Sequence, residues 1–288
     1  LDDTELGFLA NGFSAITIGD VPAGTGAVDV DSSTFQDSLT IVGGSIEVTE
    51  LDAGSNAVTL TARTGAITDG GNAGTDIVGG TVSLVVMGSG NEIGVAGPVG
   101  GPSDPLEIDV ATLLNASTTD GHITLENVAG NLPLGVLDAG AAMILLTAKD
   151  GAITDGNAGV GAANLAAAGG VNLMTTGTGS AIGTAALPIR IAIGSLSATT
   201  NDGGIFVSDS NAPGLIINNV LAKEGGSDPF VDANNHVAVN AAAPHAGTHD
   251  VSITAQGPIA LNSGTAPDVV TLNSTTGAIL DLNQSATD

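Results

Sequence analysis

Val58-Thr59-Leu60-Thr61-Ala62-Arg63-Thr64-Gly65-Ala66-Ile67-Thr68-Asp69-Gly70 reads as an alternating strand, a turn ending in Gly, and a short apolar piece. The same stretch returns as Ile144-Leu145-Leu146-Thr147-Ala148-Lys149-Asp150-Gly151-Ala152-Ile153-Thr154-Asp155-Gly156. Looser copies run from Val270 to Ile279 and from Val251 to Ile259. One such unit cannot bury its apolar face alone, whereas a stack of them can, so the repetition implies a solenoid.

The repetition is longer than that stretch. Residues 51–136 and 137–222 form two units, opening on Leu51-Asp52-Ala53-Gly54 and Leu137-Asp138-Ala139-Gly140. Pro105-Leu106-Glu107-Ile108 matches Pro188-Ile189-Arg190-Ile191, and Asp120-Gly121-His122-Ile123 matches Asp202-Gly203-Gly204-Ile205. Residues 1–50 and 223–288 are partial repeats of the same continuous solenoid. Within a unit, strands recur at Val58, Val82, Leu106, Ile123 and Ile144, which predicts four coils of about 21 residues. The fold expected is all-β, a right-handed parallel β-helix of roughly a dozen coils, on the order of 60 Å long. Val58, Leu60 and Ala62 should face inward, with Thr59 and Thr61 outward. Ile67, Ile153 and Ile279 should share one column, since each follows a Gly-Ala turn. Residues 161–168 fit either a helical turn or a coil edge.

Composition narrows the function. The 288 residues are 42% hydrophobic, mostly small aliphatics, with 2% aromatics and no Cys, Trp or Tyr. The net charge of −26 arises because 30 acids face only Arg63, Lys149, Arg190 and Lys223. Such a surface repels phosphate backbones and anionic lipid and attracts divalent cations, and no apolar run approaches the ~20 residues of a bilayer span. Without cysteine there is neither a disulfide framework nor thiol chemistry. The chain begins with Leu1 and reads as a processed portion of a longer product.

Catalysis is not expected. Polysaccharide-acting β-helix enzymes need converging acids with basic partners, and sugar clefts favour aromatic platforms. Here the four bases are scattered and the only aromatics are Phe8, Phe13, Phe35, Phe206 and Phe230. The spacing of His236, His245 and His249, next to Asp250, fits no zinc pattern, and His122 reads as a coil-edge residue. The corner acids Asp69, Asp76, Asp120, Asp155 and Asp202 are candidate calcium ligands, since calcium takes six to eight oxygens. Turn capping by Asp is the competing reading, because a short carboxylate caps nearby N–H groups. An outward ladder of Thr59, Thr61, Thr147, Ser252, Thr254 and Thr271 reads as ordinary strand surface.

The words TGAITDG (64–70), GTGSAIGTAALPIRI (177–191) and TNDGGIFV (200–207) resemble the repeats of filamentous-haemagglutinin-like bacterial surface proteins. The resemblance covers most of the chain, best from 51 to 220. It implies a parallel β-helix in a long secreted adhesin or fibre, and it carries over no functional residue. The expectation is a non-catalytic structural segment of an extracellular or cell-surface bacterial filament or giant adhesin. Partners would be further coils or copies end to end and divalent cations, with no nucleic acid and no membrane insertion. No capping element is legible at either end. The alternatives are a binding module whose protruding loops, such as 222–250, contact glycans or neighbouring cells, and, at low weight, a polysaccharide-acting enzyme.

Overall fold

The computed structural model describes residues 11–20, 23–71, 73–95, 97, 103–184, 186–201 and 205–209. Beyond these it describes the strands Leu215–Ala222, Pro229–Ala233, Val237–Ala242, Val251–Ala255, Ile259–Gly264, Val270–Ser274 and Ile279–Asp281. The described residues are all-β, with no helix. The 161–168 segment is a coil edge, with Leu165–Ala167 as a strand.

Strands pair in parallel one coil apart, with the third strand along up to residue 69 and mostly with the second strand along beyond 119, and the long strands Ile77–Ser89 and Leu106–Thr119 run side by side between them. The pairings group into two stacks, the second accompanied up to residue 110 by a ladder of Ser33–Thr34, Leu51–Asp52, 77–79 and 108–110. The first runs through Ile16–Ile18, Leu39–Gly43, Val58–Ala62, 82–86 and 113–118. It continues through Leu132–Asp138, then Ile153–Asp155 with Leu165–Ala167, then Ile189–Ile193, Ile205–Asp209, Pro229–Ala233, Val251–Ala255 and Val270–Ser274. The second runs through Val28–Val30, Ile46–Val48, Ile67–Asp69, Ile93 with 106–110, Ile123–Asn127 and Met143–Ala148. It continues through Gly170–Thr175, Ser195–Thr200, Leu215–Ala222, Val237–Ala242, Ile259–Gly264 and Ile279–Asp281. Among the described strands the chain passes from one stack to the other and back, giving twelve levels in each, a pattern consistent with a β-solenoid.

This register corrects the expected four coils per unit. From Val58 the chain visits Ile67, 82, Ile93, 113, Ile123 and Leu132 before Ile144, seven half-coils, so one unit spans three and a half coils. Leu106 does not open a new coil. It resumes the level begun by Ile93, after an excursion whose base is the antiparallel bridge of Val95 with Asp104. The two units are therefore offset by half a turn. Val58–Ala62 stands in the first stack and its copy Met143–Ala148 in the second. The single column proposed for Ile67, Ile153 and Ile279 is accordingly wrong. Ile67 stacks between Ile46 and Ile93, Ile153 between Leu132 and Ile182 in the opposite stack, and the Ile279 strand belongs to the stack of Ile67.

Alternation behaves as read. Val58, Leu60 and Ala62 are buried, and Thr59 and Thr61 are half-buried. The interior is aliphatic: Ile46, Ile67, Ile93, Ile123 and Ile144 on one side, and Leu132, Ile153, Ile182 and Ile205 on the other, are fully buried. Burying each contributes about 1.5–3 kcal/mol, and parallel pairing places like on like without rings. The outward threonines form no common ladder, because Thr59 neighbours Thr40 and Ser83 whereas Thr147 neighbours Glu126 and Met174 in the other stack.

The glycines serve two purposes. Gly54 and Gly140 have φ of 55° and 56°, and their N–H groups donate to Asp52 Oδ1 and Asp138 Oδ1 at 2.8 and 2.9 Å. Those are Asx turns that need a left-handed residue. Gly151, in the Gly-Ala-Ile turn, has an ordinary φ; a Cβ there would meet the Gly130 carbonyl oxygen at 2.0 Å. Its reason is the close passage of the coil below.

Candidate functional site

One corner of the described residues brings three acids together. Asp69 ends the strand Ile67–Asp69, Asp76 immediately precedes Ile77, and Glu107 sits on the strand one level along. A carboxylate oxygen of each lies within 4.8 Å of the others. Asp76 is fully buried and Asp69 and Glu107 are half-buried.

The local backbone explains the convergence. Asp69 Oδ1 accepts the Gly71 N–H at 2.8 Å in an Asx turn, which points its carboxylate back over the corner. Asp76 Oδ2 accepts the Glu107 N–H at 2.8 Å, and the Asp76 N–H donates to the Glu107 carbonyl at 2.9 Å. Asp76 Oδ1 and Glu107 Oε2 are buried and receive no donor. The two carboxyl groups face one another, a contact that is a hydrogen bond only when one carries a proton.

Burial sets the electrostatics, and charge repulsion adds to it. Two unit charges at this separation repel by about 3–4 kcal/mol at an effective dielectric constant of ~20. Burial, with the Asp69 and Glu107 charges behind it, pushes the Asp76 carboxyl up to about 9. Glu107 is also raised, chiefly by burial and then by Asp69 and Glu126. A cation stands two levels along: Lys149 pairs with Glu126, and that hydrogen bond raises the Lys149 ammonium. Glu126 itself stands beside Glu107 in register.

The other expected ligands are placed differently. Asp155 is buried against Arg190, whose Nε lies 3.6 Å from Asp155 Oδ2, and Asn164 Nδ2 donates to Asp155 Oδ1 at 2.8 Å. Asp155 also caps the N–H groups of Asn157 and Gly159. A cation and three donors leave it nothing for a metal to satisfy. Asp120, at φ 60°, accepts the Ala141 N–H at 2.9 Å, a turn cap with no converging group of three acids among the described residues. Asp202, His236, His245, His249 and Asp250 lie outside the described residues. His122 Nδ1 accepts the Met143 N–H at 3.2 Å, as a coil-edge residue would.

Glu107 is the member that sequence reading passed over. It lies 31 residues from Asp76 and reads as an ordinary outward strand position. The available signal was its match to Arg190, a reversal of charge between equivalent positions.

A shallow groove of about 250 Å³ lies beside the 95–104 excursion, lined among others by Ser103, Thr124, Glu126, Thr147 and Asn172. Comparisons of the chain with protein-family models, with curated proteins and with solved structures find no match.

Proposed function

We propose that this chain is a structural, non-catalytic segment of an extracellular bacterial filament or giant surface adhesin. In this reading it is one right-handed parallel β-helix that continues end to end into further coils or copies. The observation that carries the reading is the pair of stacks: level after level of parallel pairing, over an interior that is mainly aliphatic among the described residues. Among the described strands, Ile16–Ile18, Val28–Val30, Val270–Ser274 and Ile279–Asp281 each have a partner on one side only. Open parallel edges recruit further strands. The motif resemblance to filamentous-haemagglutinin-like repeats points the same way, and the acidic, cysteine-free composition suits a cell surface.

Sedimentation velocity over a range of concentrations tests it. Ile16 N–H donates inward to the Ser38 carbonyl, so the alternating Thr17 N–H points to the open edge. Thr17→Pro removes that donor. The parent should associate with rising concentration and Thr17→Pro should associate less. A parent that stays monomeric throughout, or a variant that associates equally, would contradict the reading.

A second reading, a binding module, is favoured by the groove. Thr124 is among its lining residues, and the Thr124 Oγ1 is buried without a hydrogen-bond partner. Its volume is below the ~300–1,000 Å³ usual for ligand sites, which keeps this reading second.

A further inference from the structure

We propose that Asp69, Asp76 and Glu107 bind one hard divalent cation, with calcium the best fit to the donor set, and that Arg190 with Asn164 substitutes for that cation in the second copy of the repeat.

The two copies present the same backbone frame at this corner. In the first, the Asp76 N–H donates to the Glu107 carbonyl, the Glu107 N–H to Asp76 Oδ2, and the Leu51 N–H to the Asp76 carbonyl. In the second, the Asn164 N–H donates to the Arg190 carbonyl, the Arg190 N–H to Asn164 Oδ1, and the Leu137 N–H to the Asn164 carbonyl. Asp69 and Asp155 make equivalent Asx turns. Asp69, Asp76 and Glu107 thus match Asp155, Asn164 and Arg190. The second set sums to zero formal charge; the first carries three negative charges in the same space.

The second copy also shows what the buried position requires. Asn164 Nδ2 is a donor there, to the carbonyls of Leu134 and Gly135 at 3.1 Å each and to Asp155 Oδ1 at 2.8 Å. The matching carbonyls in the first copy are those of Val48 and Thr49: Gly70 N–H donates to Val48 as Gly156 N–H does to Leu134. The matching side-chain atom is Asp76 Oδ1, fully buried, with no donor to accept from and, once ionised, no hydrogen to give. This observation stands apart from the clustering of the acids. A buried oxygen where its counterpart is a donor, among other oxygens, is the environment a cation completes.

The donors select the ion. The three carboxylates supply oxygens, the carbonyls of Val48 and Thr49 are the further donors that the match to the second copy assigns, and water completes the six to eight that calcium takes in flexible geometry. Magnesium demands a stricter octahedron, and zinc sites are built mainly on His nitrogen or Cys sulfur, neither of which is among these three residues. A proton on Asp76 is the rival neutraliser, since a protonated Asp76 would donate as Asn164 does.

Isothermal titration calorimetry of the full chain, stripped with chelator and titrated with calcium chloride at neutral pH, tests the proposal. The parent should take up one calcium per chain and melt higher with it. Asp76→Asn with Glu107→Arg, which copies the second repeat, should lose that uptake and melt above the stripped parent. Asn164→Asp with Arg190→Glu should install a second equivalent of binding. Asp120→Asn should bind as the parent does; loss there too would assign the heat to diffuse acidity and overturn the site. Uptake that survives Asp76→Asn with Glu107→Arg would overturn it as well. No stoichiometric uptake by the parent would overturn it and assign the neutralisation to a proton on Asp76.

Discussion

The Arg190 guanidinium stands 3.6 Å from the buried Asp155 carboxylate while its two terminal nitrogens donate to the carbonyls of Gly161 and Val160 at 2.8 and 2.9 Å. One side chain therefore neutralises a buried acid and ties down the segment that follows it. Arg190→Ala leaves a buried charge uncompensated and frees those carbonyls. The expected loss is about 3–5 kcal/mol, the range for breaking a buried pair from one side. Arg190→Lys should not restore it, because an ammonium cannot reach the three sites the planar fork spans. Denaturant melts measure the loss, and cleavage within 156–163 under limited proteolysis reports the loosened segment.

The stripped chain should lose stability as pH rises. The folded state keeps the Asp76 proton up to about 9, whereas an ordinary aspartic acid releases it near 3.8. Between those values the folded state binds more protons, so stability falls with pH; the contribution is complete below 3.8 and gone above about 9. The raised Glu107 adds in the same direction. Melting temperatures of parent and Asp76→Asn across this window should diverge, with the parent falling more steeply. Parallel profiles would mean that Asp76 titrates normally in the folded chain. Calcium should flatten the fall, since it occupies the deprotonated form.

Ile153 is fully buried between Leu132 and Ile182. Ile153→Asp should cost several kcal/mol, since nothing in that aliphatic column pairs with a charge. Ile153→Ala should cost about 2–5 kcal/mol and couple to Ile182→Ala, but add independently to Ile67→Ala in the other stack. Coupling of Ile153 with Ile67 instead would restore the single-column register.

Gly151→Ala should destabilise strongly, because the added methyl meets backbone that cannot step aside. The same change at Gly54 meets open space and costs only the left-handed φ, about 1–2 kcal/mol. Comparing the two melts separates close approach from conformational freedom as the reason for a glycine.

Inside and outside were legible residue by residue, because a period of two is set by the strand itself: Val58, Leu60 and Ala62 face in as the alternation requires. Which stack a strand joins was not. Val58–Ala62 and Met143–Ala148 carry the same alternation, and nothing in a strand's own residues distinguishes the two sides of the interior. The excursion after Ile93 then made one level look like two, and the half-turn offset was lost. At the corner, Asp69 and Asp76 were legible as turn acids, whereas Glu107 joins them only through pairing between levels.

Continuation of the two stacks beyond a single chain is tested most directly by negative-stain electron microscopy of the purified chain, with and without calcium, over rising concentration. Rods of constant width, with lengths in multiples of roughly 60 Å, are predicted, the unit being a dozen levels at the interstrand spacing. Uniform particles of one length at every concentration would contradict end-to-end assembly and favour the binding-module reading.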